Sequence, residues 1–443
     1  MDLKNWLVQA AAAHDQWAEG FGPFTRHPVT QVDEGRFAAA FAELTERLAG
    51  DNPYFHPRYA GQMQKPPHPA AVAGYLATML NNPNNHALDG GPATARMERE
   101  VVADLATMFG FDTHLGHLTS SGTIANLEAL FVARETHPGR GVAYSAESHY
   151  THPRMCHVLG MPAHQVPVDG QGRMDLTALE DLLAKAKIGT VVLTAGTTSL
   201  GAVDPIDEAL SLKERYGVRI HVDAAYGGFH RLLAEPAGPW QAIARCDSVV
   251  VDPHKHGLQP YGCGAVLFAD PAVGRFYLHD SPYTYFTSDE LHPGEISLEC
   301  SRSGAAAAAL WLTLRLFPLT RDGLGEVLAA SRRAALDLAT RIDQCAPLTL
   351  YQWPTLDIVT YFAGTELAAI DTNSNRILHE GMAHPADPVF LSTLRVTADA
   401  MTARHPNIAA DTDGGRILRS VLMKPESEYH TEQLHTRLVT LAS

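Results

Sequence analysis

At 443 residues the chain is longer than one ordinary hydrophobic core supports, so a large domain with smaller companions is expected. With 45% hydrophobic and 19% charged residues and no apolar run of bilayer-spanning length, a membrane-embedded chain is excluded. A formal net charge of −15 argues against nucleic acid as a partner, because phosphate neutralisation needs a surplus of Lys and Arg.

In chain order, residues 1–50 read as helix, loop and helix, with Phe37, Phe41, Leu44 and Leu48 at helical spacing; such an arm needs a partner surface. Residues 51–70 are rich in Pro, His and Asn and read as an ordered but irregular loop. This loop offers His56, Arg58 and Tyr59, and the next one His86, as candidates for holding a substrate side chain, aromatic or acidic. Helices are predicted over 70–80 and 93–109, the second closing on Gly110. From 116 to 268, β-branched runs at 190–193, 219–222, 248–251 and 264–268 alternate with amphipathic helices at 176–187 and 205–216. That alternation predicts βαβ units, a largely parallel sheet, and a ligand site at the strands' carboxyl ends. An alanine-rich helix over 305–316 and a long helix over 325–345 then lead into a second, smaller α/β pattern. The expected divisions are an N-terminal arm and site loop (1–92), a large domain (93–318) and a small C-terminal α/β domain (319–443).

Five places in the large domain carry chemistry. Ser121-Gly122-Thr123 opens a helix, so its hydroxyls and free amides suit a phosphate. His149 follows a strand-like run, where a flat ring can stack on a ligand, and Thr197 closes the strand at 190–193. Asp223 ends an apolar strand and is followed by small residues including Ala225; a carboxylate placed there needs a cationic partner. The fifth place is Lys255, on a short tether after the strand at 248–251 and flanked by His254 and His256; a lysine desolvated there can act as a nucleophilic amine and form a Schiff base. Phosphate cradle, stacking ring, partner for a pyridinium nitrogen and Schiff-base lysine together meet the requirements of pyridoxal 5′-phosphate. Five cysteines, odd in number and without a CxxC pair, suit reduced thiols in a cytoplasm, and the cluster His149, His152, Cys156 and His157 fits no closed zinc pattern, so no metal site is expected.

These stretches, with Ser301-Arg302-Ser303-Gly304 and Leu418-Arg419, resemble the group II pyridoxal-phosphate-dependent amino acid decarboxylases of fold type I, over most of residues 50–440. The resemblance implies an α/β fold with a mostly parallel, seven-stranded-type central sheet, helices on both faces, an N-terminal helical arm and a small C-terminal domain. It implies that Lys255 carries the cofactor, His149 stacks on its ring, Asp223 pairs with the ring nitrogen, and Ala225 lies under it. Ser121, Gly122, Thr123 and His254 would hold phosphate, in a homodimer whose sites lie at the interface and where Ser303 and Gly304 reach the neighbour's phosphate. Tyr283 and Tyr285 are alternative proton donors on a site loop, and Arg419 is a candidate clamp for the substrate carboxylate. The expected reaction is decarboxylation of an L-amino acid to its amine. Another fold type I reaction (carbon–carbon lyase, transaminase or decarboxylation-dependent oxidase) and a silent relative are the alternatives, because cofactor residues identify the cofactor better than the bond broken.

Overall fold

The computed structural model describes residues 1–234, 238–278 and 292–443; Tyr283 and Tyr285 lie outside the described residues. Helices α1 (Leu3–Glu19), α2 (Glu34–Leu48), α3 (Pro69–Met79) and α4 (Pro92–Phe109) come first. The alternating region then runs β1 (Leu115–Thr119), α5 (Gly122–Thr136), β2 (Gly141–Ser145), α6 (Thr151–Leu159), β3 (Ala163–Val166) and α7 (Leu176–Lys185). It continues with β4 (Ile188–Thr194), α8 (Ile206–Tyr216), β5 (Arg219–Asp223), α9 (Pro239–Ala242), β6 (Ser248–Val251) and β7 (Gly264–Phe268). The last part comprises α10 (Gly304–Leu316), α11 (Leu324–Asp343), β8 (Thr349–Gln352), β9 (Ile358–Phe362), α12 (Leu367–Ala383), β10 (Ser392–Thr397), α13 (Ala398–Arg404), β11 (Gly414–Val421) and α14 (Thr431–Ala442).

The first seven strands form one sheet in the order β1-β7-β6-β5-β4-β2-β3. Strands β3, β2, β4, β5 and β6 pair in parallel, and β7 is antiparallel to both its neighbours. Strand β4 is buried along its whole length, which explains its near-continuous apolar run: a parallel strand covered on both faces has no polar side to show. Because β6 returns directly through β7, the Lys255 turn is a hairpin connection and not a strand-to-helix joint. The alanines 305–309 are all buried in α10, where small side chains let α3 approach; a Cβ at Gly74 would lie 3.2 Å from the Ala309 Cα. The remaining strands make an antiparallel sheet, β10-β11-β9-β8, with its own core of Leu338 and Ile342 against Val359, Tyr361 and Leu418. Among the described residues no helix is long and apolar enough to cross a membrane.

His221 in β5 shows how the sheet disposes of a polar side chain. Its Nε2–H donates to Asn126 Oδ1 (2.8 Å) and its Nδ1 accepts from the Ser248 hydroxyl (2.9 Å), so the ring is neutral, and burial pushes its pKa down to about 3. Below pH 6.5 the unfolded chain takes up a proton that the native state refuses, so stability present at neutral pH is lost on acidification. At pH 5 this one group should cost about 2 kcal/mol, and H221Q should remove that part of the slope. Urea midpoints of both proteins at pH 7 and pH 5 measure the difference; equal slopes would refute the assignment.

Candidate active site

The carboxyl ends of β4, β5 and β6 and the N-terminus of α5 meet around a cavity of about 250 Å³. Its lining includes Ser121, Gly122, Thr123, His149, Asp223, Ala225, His254 and Lys255, so the structure brings these predicted residues together. Ser121 caps α5 by accepting from the Ile124 amide (3.4 Å), while the first-turn amides have no intrahelical acceptor and face an anion favourably. A Cβ at Gly122 would fall 2.6 Å from Asp252 Oδ2, so only glycine lets this helix end lie against the Lys255 turn.

Lys255 Nζ lies 3.1 Å from Asp252 Oδ2, with 22% of its side chain exposed. His254 Nε2 stands 3.4 Å from the same oxygen. Asp223 is buried and held from two sides: Oδ2 takes His152 Nε2–H (2.8 Å) and Oδ1 takes the Ala225 amide (3.1 Å). Burial alone would raise its pKa, but the His152 hydrogen bond, the charge of His152 and that of Lys255 outweigh it and hold the carboxyl well below the usual range. His149 is a neutral ring, its pKa lowered chiefly by burial; its Nδ1 accepts from the Thr151 amide (3.3 Å) and it lies against Tyr150 with centroids 4.2 Å apart.

This arrangement fits pyridoxal 5′-phosphate. It supplies an amine, a flat ring, a fixed anion for a ring cation and a helix N-terminus for a phosphate. His254 Nδ1 and Thr194 Oγ1, buried on residues lining the cavity, have no hydrogen-bond partner among the described residues, so a polar guest satisfies what the chain leaves open.

Other predicted residues lie elsewhere. The Thr197 hydroxyl accepts from the Leu200 and Ala202 amides and fastens its own turn; Thr198 lines the cavity instead. Ser303 caps α10, and Gly304 packs beside Pro83, Asn85 and Thr94, outside the lining of this cavity. Arg58 pairs with Asp387 (2.9 Å) in a separate depression shared with His430. His56 accepts from the Arg58 amide, Tyr59 is buried against Tyr54 and Phe390, and His86 packs beside Gly90; none lines the cavity. Arg419, expected as a carboxylate clamp, is engaged by the chain itself. Its guanidinium is buried and donates to the carbonyls of Ser199 (3.1 Å), Thr198 (2.6 Å) and Gly61 (3.4 Å) and to the Ser392 hydroxyl (3.1 Å), strapping β11 to the turn after β4. Sequence reasoning missed His152 as the partner of Asp223; the signal was its position three residues after His149, on the first turn of α6.

Comparison with known proteins agrees. Residues 49–362 match the conserved domain of pyridoxal-dependent decarboxylases. The chain is 28% identical to an L-tyrosine decarboxylase of Enterococcus faecium, over 75% of its own length and 73% of that protein. It is 33% identical to a probable L-aspartate decarboxylase of Halobacterium salinarum, over 64% of its own length and 77% of that protein. Among solved structures, mouse CSAD superposes with a TM-score of 0.80 at 21% identity, covering 94% of this chain and 89% of that one. Oryza sativa TDC with PLP and tryptamine superposes with a TM-score of 0.79 at 16% identity, covering 99% and 98%. With the matched domain spanning both the cradle at Ser121 and the turn at Lys255, the chain belongs to the pyridoxal-dependent decarboxylase family.

Proposed function

We propose that the loss of CO2 from an L-amino acid takes place in the cavity between α5, α6 and the ends of β4 to β6, with Lys255, Asp223 and His149 as the working groups. The observation that supports this most is that the Lys255 amine and an Asp223 carboxylate locked by His152 line one cavity with a helix N-terminus. Pyridoxal phosphate, when bound, supplies the electron sink for the pair left at the substrate's α-carbon as CO2 departs. Ser121, Gly122, Thr123 and His254 would hold its phosphate, and Lys255 would supply the amine that attaches it. The Asp223 carboxylate would favour a positive charge at the ring nitrogen, and His149 and Ala225 would confine the ring. Holoenzyme incubated with each proteinogenic L-amino acid should release CO2 and amine in equal amounts. Tyrosine and aspartate come first, since relatives carry those names. Keto acid, aldehyde or ammonia in place of amine would overturn the reading.

The finer reading includes a homodimer with the sites at its interface, in the cytoplasm. Support for the dimer comes from the arm: no residue of α1 or α2 is buried, and Trp17, Phe37, Phe41 and Leu44 are exposed. So large an apolar surface calls for a partner. Phe37→Asp with Phe41→Asp should shift light-scattering mass from two chains to one, and an unchanged mass would remove the arm from the interface. The five cysteines, all free, suit a reducing compartment.

A further inference from the structure

The residue after the active lysine belongs to a second polar cluster, outside the cavity lining. His230, on the 3-10 turn Gly228–Leu233, His256, and Asp357, between β8 and β9, are all buried, and their ligand-type atoms lie within 4.8 Å of one another.

Counting hydrogens shows that something positive belongs there. His256 Nδ1 stands 2.8 Å from the Tyr226 carbonyl oxygen, which only accepts, so this nitrogen carries a hydrogen. On the far side of the ring, Nε2 lies 2.7 Å from Asp357 Oδ2, while Asp357 Oδ1 already takes the Tyr226 hydroxyl (2.5 Å). A bare nitrogen lone pair facing a carboxylate oxygen at that distance is repulsive, so a proton or a metal ion has to be shared by the two. A proton accounts for His256 and Asp357 but leaves His230 unexplained. That ring is 3% exposed, its centroid is 4.8 Å from that of His256, and neither of its nitrogens has a hydrogen-bond partner among the described residues. Leaving a buried polar group unpaired costs about 1–3 kcal/mol. A metal ion engages all three side chains at once.

We infer that His230, His256 and Asp357 bind one divalent transition-metal ion of the zinc type, separate from the cofactor site. Two imidazoles and a carboxylate are the ligand chemistry such an ion takes, at about 2.0–2.2 Å, so the three side chains contract onto it. The outer shell is already built: the Tyr226 carbonyl fixes the His256 tautomer and the Tyr226 hydroxyl orients Asp357. Lys65, whose buried amine lacks a hydrogen-bond partner among the described residues, and Arg332 add positive potential at His230, which makes the site weaker than a closed cysteine–histidine one. The ion would tie the 3-10 turn after β5, the Lys255 turn and the β8–β9 connection together.

The test uses holoenzyme stripped with chelator, reloaded with Zn²⁺ or Co²⁺ and desalted. Elemental analysis should find about one equivalent per chain, with a raised thermal midpoint and visible Co²⁺ bands. H230A should hold at least roughly tenfold less metal while keeping its cofactor absorbance. The Co²⁺ spectrum of the unsubstituted protein stands on its own should H230A fail to fold. Less than about 0.1 equivalent in the unsubstituted protein would overturn the inference and leave His256 as a doubly protonated partner of Asp357. Full metal content in H230A would overturn it too, by placing the ion elsewhere, for instance on the histidines of α6.

Discussion

Lys255→Ala is expected to abolish turnover, with kcat falling by roughly 10⁴-fold or more, because no other described residue lining the cavity offers a side-chain amine for covalent attachment. Borohydride treatment should no longer fix the cofactor to the chain. The fold should survive, since the side chain is 22% exposed and, among the described residues, the substitution removes one ion pair, with Asp252. Peptide mapping after borohydride reduction is the direct measurement. A cofactor trapped on a different lysine would remove Lys255 from its role, whatever the kinetics.

The second large effect is expected from Asp223→Asn. The substitution keeps size and leaves an oxygen to accept from His152 Nε2, but removes the charge that would hold a cation on the cofactor ring. Turnover should fall by roughly 10³-fold while cofactor occupancy falls far less, since the helix N-terminus at Ser121 to Thr123, proposed to hold the phosphate, is untouched. His152→Gln, which removes the ring but not the carboxylate, should give a kcat between that of Asp223→Asn and that of the unsubstituted protein. It should also shift the acid limb of the pH profile, as expected of a positioning residue. Near-normal turnover in Asp223→Asn would sink the pairing.

Strand and helix positions were readable wherever a single period dominated. The predicted strands at 248–251 and 264–268 coincide with β6 and β7, and the C-cap expected at Gly110 has φ +84°. Asp223 and Lys255 were legible for the same reason: Asp223 ends the apolar strand β5, Lys255 follows shortly after the apolar strand β6, and parallel strands end at one edge. What stayed hidden depends on atoms brought together from distant segments. Nothing in the run 414–421 says that the Arg419 guanidinium finds three carbonyls, because acceptors on the backbone leave no residue-type signature. His230 and Asp357 are likewise 127 residues apart, by 357 − 230, and no spacing rule links them.

The strap made by Arg419 also bears on how the molecule comes apart. Its donors reach Gly61, Thr198 and Ser199, and Lys424 just beyond β11 donates to the Tyr59 carbonyl (2.6 Å), so residues from three distant stretches share one set of bonds, those to Gly61 and Tyr59 buried. Melting the four-stranded sheet alone would strip all four carbonyls of their donors, and at the two buried ones, Gly61 and Tyr59, that costs about 1–3 kcal/mol each. Unfolding is then expected to be a single cooperative event, and a calorimetric trace should show one endotherm even though the described residues form two sheets and several hydrophobic clusters.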